Sequence, residues 1–259
     1  MKKKTVAVIM TAVMAMGMVS AVSVQAGVED KTLIVGFDAE YPPYGYMDEN
    51  GEYTGFDLEL AQAVCDIEGW ELVKKPINWD SKDMELNSGS IDCIWNGFTM
   101  NGREDEYTWT EPYLDNQQVF VVRANSGINS EKDLAGKTVD VQTDSSAEAA
   151  LKDNTELSST FSTEIIPDYN TGFMNLESGA VDAVAMDIVV AKYQIESRSA
   201  EFKILDYEIA SEQYGVGLAK GNDAVKDQVQ KTLEEMAADG TLAKISTKWF
   251  GEDITTIGK

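Results

Sequence analysis

The chain carries the same short phrases twice, and that repetition limits its folds more than any other feature. Leu86-Asn-Ser-Gly-Ser-Ile-Asp-Cys-Ile94 is echoed by Leu176-Glu-Ser-Gly-Ala-Val-Asp-Ala-Val184, and Thr32-Leu-Ile-Val-Gly-Phe-Asp38 by Thr138-Val-Asp-Val-Gln-Thr-Asp144. The first pair reads as a helix end, a glycine cap and a strand; the second reads as a short strand running into an aspartate. The offsets, 106 and 90 residues, preserve the order and differ in loop length. Two similar lobes with unequal loops are expected.

Helix and strand periods alternate between these markers. Gly55 opens a helix with Phe56, Leu60, Val64 and Ile67 on one face and Gly69 at its end. Ser145-Ser146 opens another, over about 147–151, with Asp144 or Ser145 as its N-cap. Val225, Val229, Leu233 and Met236 line a third before Gly240, and Leu242, Ile245 and Trp249 follow. Such alternation predicts an α/β fold in which each lobe is a mostly parallel sheet flanked by helices. Gln118–Val122 and Tyr214–Leu218 bracket the second copy and read as two hinge strands joining the lobes. The expected division is residues 27–119 plus 216–259 for lobe 1 and 120–215 for lobe 2. Ligands of open α/β sheets lie beyond the carboxyl ends of the strands, so facing lobes would share one cleft.

The first 26 residues stand apart. Lys2-Lys3-Lys4 precedes an apolar run to about Val22, and Val24-Gln25-Ala26 is a small-x-small site, so a signal peptide cleaved after Ala26 is expected. It contains no cysteine to carry a lipid. Export to the periplasm or the outer cell surface follows. Without this segment the net charge moves from −24 to −27, which argues against nucleic acid or an anionic membrane as partner. The chain has no histidine, which removes Ser-His-Asp and Cys-His catalysis and histidine metal sites. No metal or cofactor is expected. Cys65 and Cys93 both lie in apolar patterns; a disulfide and two buried thiols fit the sequence equally.

Five segments in order, "VGFDAEYPPYGYMDENGEYTGFDLELAQAV", "LNSGSIDCIWNGFTMNGRE", "DLAGKTVDVQTDSSAE", "SGAVDAVAMD" and "LEEMAADGTLAKISTKWFGED", resemble the extracellular solute-binding proteins of polar amino-acid ABC importers. The resemblance runs from about Leu33 to Asp253. It implies a periplasmic-binding-protein fold that closes around a free amino acid, a membrane-embedded ABC permease as partner, and a monomer without catalytic residues.

The resemblance also assigns roles. Arg103 would clamp the ligand carboxylate, for which a guanidinium offers paired donors. Thr99 would donate to the same group, and Gly97 would offer its carbonyl to the ammonium. Asp187, ending the second repeat's strand, would take the ammonium. Ser146 begins a helix whose N-terminus favours a carboxylate. Tyr41 and Trp79 would enclose the ligand side chain, while Asp38 and Asn96 would read its polar end. Two departures stand out. The Gly97 to Arg103 spacing is one residue shorter than usual, so a tight turn at Gly102 is expected. Asp144 stands where glycine is usual. Asp38, Asp144 and the overall charge disfavour acidic ligands, and a neutral polar side chain is slightly favoured over a basic one. Two other readings are a lyase or dehydratase working in the same cleft, with Glu40 and Glu111 as the nearest acids, and a ligand-sensing protein for a separate receptor.

Overall fold

A computed structural model describes Val28 and residues 31–198 and 201–259. The predicted signal peptide, residues 1–26, lies outside the described residues. The first half begins with β1 (Thr32–Phe37) and a small antiparallel patch of β2 (Glu40–Tyr41), β3 (Gly45–Met47) and β4 (Tyr53–Thr54). It continues through α1 (Phe56–Glu68), β5 (Glu71–Pro76), α2 (Lys82–Asn87), β6 (Cys93–Ile94) and β7 (Thr108–Trp109). The second half contains β8 (Leu114–Arg123), β9 (Thr138–Gln142), α3 (Ser146–Asp153), α4 (Thr155–Ser158) and β10 (Ser162–Ile166). It ends with α5 (Tyr169–Ser178), β11 (Ala183–Asp187), α6 (Ile188–Ser197) and β12 (Phe202–Tyr214). The chain then returns to the first sheet as β13 (Gly217–Leu218) and finishes with α7 (Asp223–Asp239) and α8 (Thr241–Phe250).

The repeated phrases become matching sheets. The first runs β5-β1-β6-β13-β7 and the second β10-β9-β11-β8-β12. In each, the first three strands pair in parallel, the fourth runs against them, and the fifth pairs antiparallel with the fourth. The sheets are therefore mixed yet mostly parallel, as expected: four strands of each share one direction, and β13 and β8, entered where the chain crosses between the halves, run against them. β8 and β12 pair along nearly their whole length, from Leu114–Tyr214 to Arg123–Phe202. Position 119/120 falls inside β8, and 215/216 falls after β12.

Periodicity explains the helices. α1 buries Phe56, Leu60 and Val64 and stops where Gly69 turns left-handed at φ 67°. Ile67, in its last turn, is half exposed. α7 buries Val225, Val229, Leu233 and Met236 against the first half's core, each such side chain contributing about 2 kcal/mol. Cys65 and Cys93 are buried free thiols, and burial pushes the Cys65 thiol up to about 12. Among the described residues no helix is long and apolar enough to cross a membrane.

Candidate functional site

The carboxyl ends of all six parallel strands converge on one small chamber, with about 290 Å³ of space among its lining atoms and the solvent at its mouth. All nine residues expected at the site line it: Asp38, Tyr41, Trp79, Asn96, Gly97, Thr99 and Arg103 from the first half, Ser146 and Asp187 from the second. Gln142, Ser145 and Tyr169 line it too.

In the first half, Asp38 follows β1. Its carboxylate accepts from the Glu40 backbone N–H at 2.8 Å and from Gln142 Nε2 at 2.7 Å, and burial pushes the acid up to about 6. Asn96 Oδ1 accepts the Asp38 N–H at 3.0 Å, while Asn96 Nδ2 has no protein partner among the described residues. Tyr41 packs on Tyr44 and Tyr169 with ring centroids 5.8 and 5.9 Å apart. Trp79 lies in the turn after β5, its edge toward Phe98 and the Lys82 ammonium 5.3 Å above its ring.

Gly97 is held in the left-handed region at φ 56°, and a Cβ there would come within 3.0 to 3.3 Å of Tyr41, Tyr214 and Tyr44. Its N–H donates to Asp57, a fully buried acid that also accepts from the Tyr113 hydroxyl at 2.8 Å. Burial pushes Asp57 up to about 7. Asp57, at the start of α1, thus fixes the turn that presents Gly97, and position alone did not reveal it. The shortened segment closes as a turn from the Met100 carbonyl to the Arg103 N–H at 2.9 Å, with Gly102 at φ 80°. Arg103 Nη1 donates to the Thr99 carbonyl at 3.3 Å and Nη2 to the Asp144 carbonyl at 3.1 Å. The arginine reaches the chamber and touches the other half.

In the second half, Ser145 is the N-cap of α3, accepting the Glu148 N–H at 3.1 Å. Asp144 adopts φ 56°, a backbone state that explains why glycine suits this position. Its carboxylate turns away from the helix end and pairs with Lys82, whose side chain is 2% exposed. This ion pair, Asp38–Gln142, Arg103–Asp144 and a hydrogen bond from Asn170 to Glu40 join the halves around the chamber.

Asp187 ends β11. It occupies the N-cap position of α6 yet makes no capping bond. Its Oδ1 instead accepts from Asn116 Nδ2 at 2.8 Å, Gln118 Nε2 at 2.7 Å and the Tyr214 hydroxyl. Asn116 and Gln118 also donate to Glu212, at 2.6 and 2.7 Å. These supporting residues escaped sequence reasoning. The available signal was Asn116-x-Gln118, two polar residues on one face of a strand whose next four residues, Val119 to Val122, are apolar.

The chamber therefore offers a guanidinium and a helix N-terminus near one another, a buried acid elsewhere, and an aromatic-walled recess ending in Asp38, Asn96 and Gln142. Opposed charges in a closed space suit a zwitterion. Among the described residues no cluster of His, Cys, Asp and Glu is arranged to hold a metal ion.

Comparison with known proteins agrees. The family model described as bacterial extracellular solute-binding proteins, family 3, matches residues 33–252. The L-cystine-binding protein TcyJ of Escherichia coli is 31% identical over 94% of this chain and 95% of its own. A solved ABC uptake transporter substrate-binding protein from Streptococcus pneumoniae with bound histidine superimposes with a TM-score of 0.85 at 32% identity, over 87% of this chain and 95% of that one. An ancestral amino-acid-binding protein, described as a precursor of cyclohexadienyl dehydratase, has a TM-score of 0.78 at 30% identity, over 85% and 96% of the two chains.

Proposed function

This chain belongs to family 3 of the bacterial extracellular solute-binding proteins, and from that premise we propose that its chamber captures a free amino acid with a neutral polar side chain for delivery to an ABC permease. The observation that carries the reading is the convergence of Arg103, Thr99 and the α3 N-terminus with Asp187 on one closed chamber. Arg103, Thr99 and the Ser146 end of α3 bind the carboxylate. Asp187 and the Gly97 carbonyl bind the ammonium. Tyr41, Trp79 and Tyr169 enclose the side chain.

The side-chain recess supports a neutral polar group. It combines an acceptor, Asp38, which Gln142 Nε2 holds in place, with a donor, Asn96 Nδ2, that has no protein partner among the described residues. An amide or similar group uses both kinds of partner. A cationic side chain, which only donates, would leave the Asn96 donor without an acceptor, and a carboxylate would face Asp38. We place the lobes at 27–119 plus 216–259 and at 120–215, with ligand favouring the closed state because only there do both lobes contact it. The protein acts as a monomer that binds without catalysis.

A melting-temperature screen of the exported protein against the twenty amino acids, cystine and ornithine tests the reading. Glutamine or another neutral polar amino acid is expected to raise the midpoint by a few degrees at about 100 times its Kd, equivalent to about 2.7 kcal/mol. A larger shift with arginine or lysine overturns the side-chain assignment. No shift with any amino acid overturns the capture of a free amino acid.

A further inference from the structure

We propose that Glu212 and Asp187 hold one proton between them, and that the ammonium of an arriving amino acid displaces this proton to solvent. The inference rests on the reading that Asp187 receives the ammonium. Its basis is the strand register. Asp187 lies opposite Gln118 across β11 and β8, and Glu212 lies opposite Asn116 across β12 and β8. Alternation along β8 puts Asn116 and Gln118 on one face, so the two acids meet over the same pair of amides.

Both acids are buried, with Asp187 3% and Glu212 4% exposed. The donors that reach them are two neutral amides and the hydroxyls of Tyr214 and Tyr41. The amides turn their NH₂ groups to the acids and leave Asn116 Oδ1 and Gln118 Oε1 without partners among the described residues. Among the described residues neither acid has a salt bridge to lysine or arginine. Titratable neighbours are few in kind. Tyr41, Tyr44, Tyr169 and Tyr214 face the pair, and their hydroxyls are pushed up by burial. Arg103, Glu106, Glu148, Lys152 and Asp153 border a depression beside Glu212, and Asp115 and Lys192 border a second.

Two adjacent ionised carboxylates with no cation of their own favour retaining a proton. Desolvation, followed by the Asp187 charge, accordingly pushes Glu212 up to about 8. The pair, its two amides and Tyr214 all lie on three neighbouring, hydrogen-bonded strands of one sheet. An ammonium at Asp187 supplies the missing positive charge, and the second acid then ionises. One O–H bond breaks, the ammonium keeps its own protons, and the site gains one negative charge against one positive charge from the amino acid.

Binding that releases a proton strengthens as pH rises. Affinity should increase about tenfold per pH unit below about pH 8 and level off above it. Calorimetry of the exported protein with L-glutamine, L-cystine, L-histidine and L-arginine, at about pH 7 in phosphate and in Tris, reads the proton directly. The expected result is an enthalpy that differs between the buffers by the ionisation heat of close to one proton. Equal enthalpies in the two buffers overturn the proposal. In Glu212→Gln, binding should persist and the buffer dependence should disappear; a persisting dependence assigns the proton elsewhere and overturns it. A carbon-13 NMR titration of glutamate carboxyls needs no ligand. Glu212 titrating in the ordinary carboxylate range overturns the shared proton, whereas no binding heat from any of the four probes overturns the amino-acid reading and the displacement with it.

Discussion

The two sheets share a strand order and divide the site between them. The first sheet contributes positive charge and aromatic walls: Arg103, Thr99, Trp79 and Tyr41 from the loops after its strands. The second contributes the acid, Asp187, and underpins it with its own return strands. In the first sheet the corresponding return strands pack apolar residues and Gly217, whose Cβ would lie 2.7 Å from Phe98. Equivalent topology has been used for packing in one half and for electrostatics in the other. Strand ends place the groups; what the neighbouring strands carry decides whether a charge there is balanced.

The largest effects should come from the two charged groups, and the difference between them sharpens the comparison. Arg103→Ala should weaken amino-acid binding by about 3 kcal/mol, more than a hundredfold in Kd. Asp187→Asn should weaken binding similarly, yet the free protein should melt higher because Glu212 loses its acidic neighbour. Calorimetry and melting curves on both variants check this. A lower midpoint in Asp187→Asn would break the distinction between the halves.

A smaller effect is expected at the seam. Lys82→Met retains the buried stem on Trp79 and removes the pairing with Asp144. With the Asp144 side chain 54% exposed, the loss should be about 1 kcal/mol, roughly fivefold in Kd. Small-angle scattering of the ligand-free variant should show a larger mean radius, since the closed population falls. An unchanged Kd and radius would confine closure to the ligand and its direct contacts.

The mildest expectation concerns pH and stability. Asp57 is held up to about 7, well above its unfolded range, so its contribution is complete in acid and is lost as pH rises from about 4 to about 7. Glu212 adds in the same direction up to about 8. The melting point of the free protein should therefore fall by a few degrees between about pH 5 and pH 8. Asp57→Asn keeps an acceptor for the Gly97 N–H and should flatten the lower part of that decline. A midpoint rising over this interval would contradict both assignments.

Much of this was legible along the chain. The repeat announced two similar sheets because its phrases are local units, a helix-cap-strand in one and a strand with an aspartate just beyond its end in the other. Every expected site residue lines the chamber because each lies at or shortly beyond the carboxyl end of a parallel strand, where a short sequence pattern and a resemblance can both find it. The direction of the return strands was not legible, since a five-residue apolar run reads the same parallel or antiparallel. Asp144 was legible as an anomaly; the φ of 56° and the Lys82 pairing show how it is accommodated.

The sequence alone pointed to nine of the residues that line the chamber, because period, punctuation and motif act over a few neighbouring positions. Tertiary structure alone decided what those residues answer to. Lys82 meets Asp144 across 62 positions, Asp187 meets Asn116 across 71, and Asn116 meets Glu212 across 96. Each meeting depends on the register of strands or the closing of two halves, and burial then sets the charge each acid can bear.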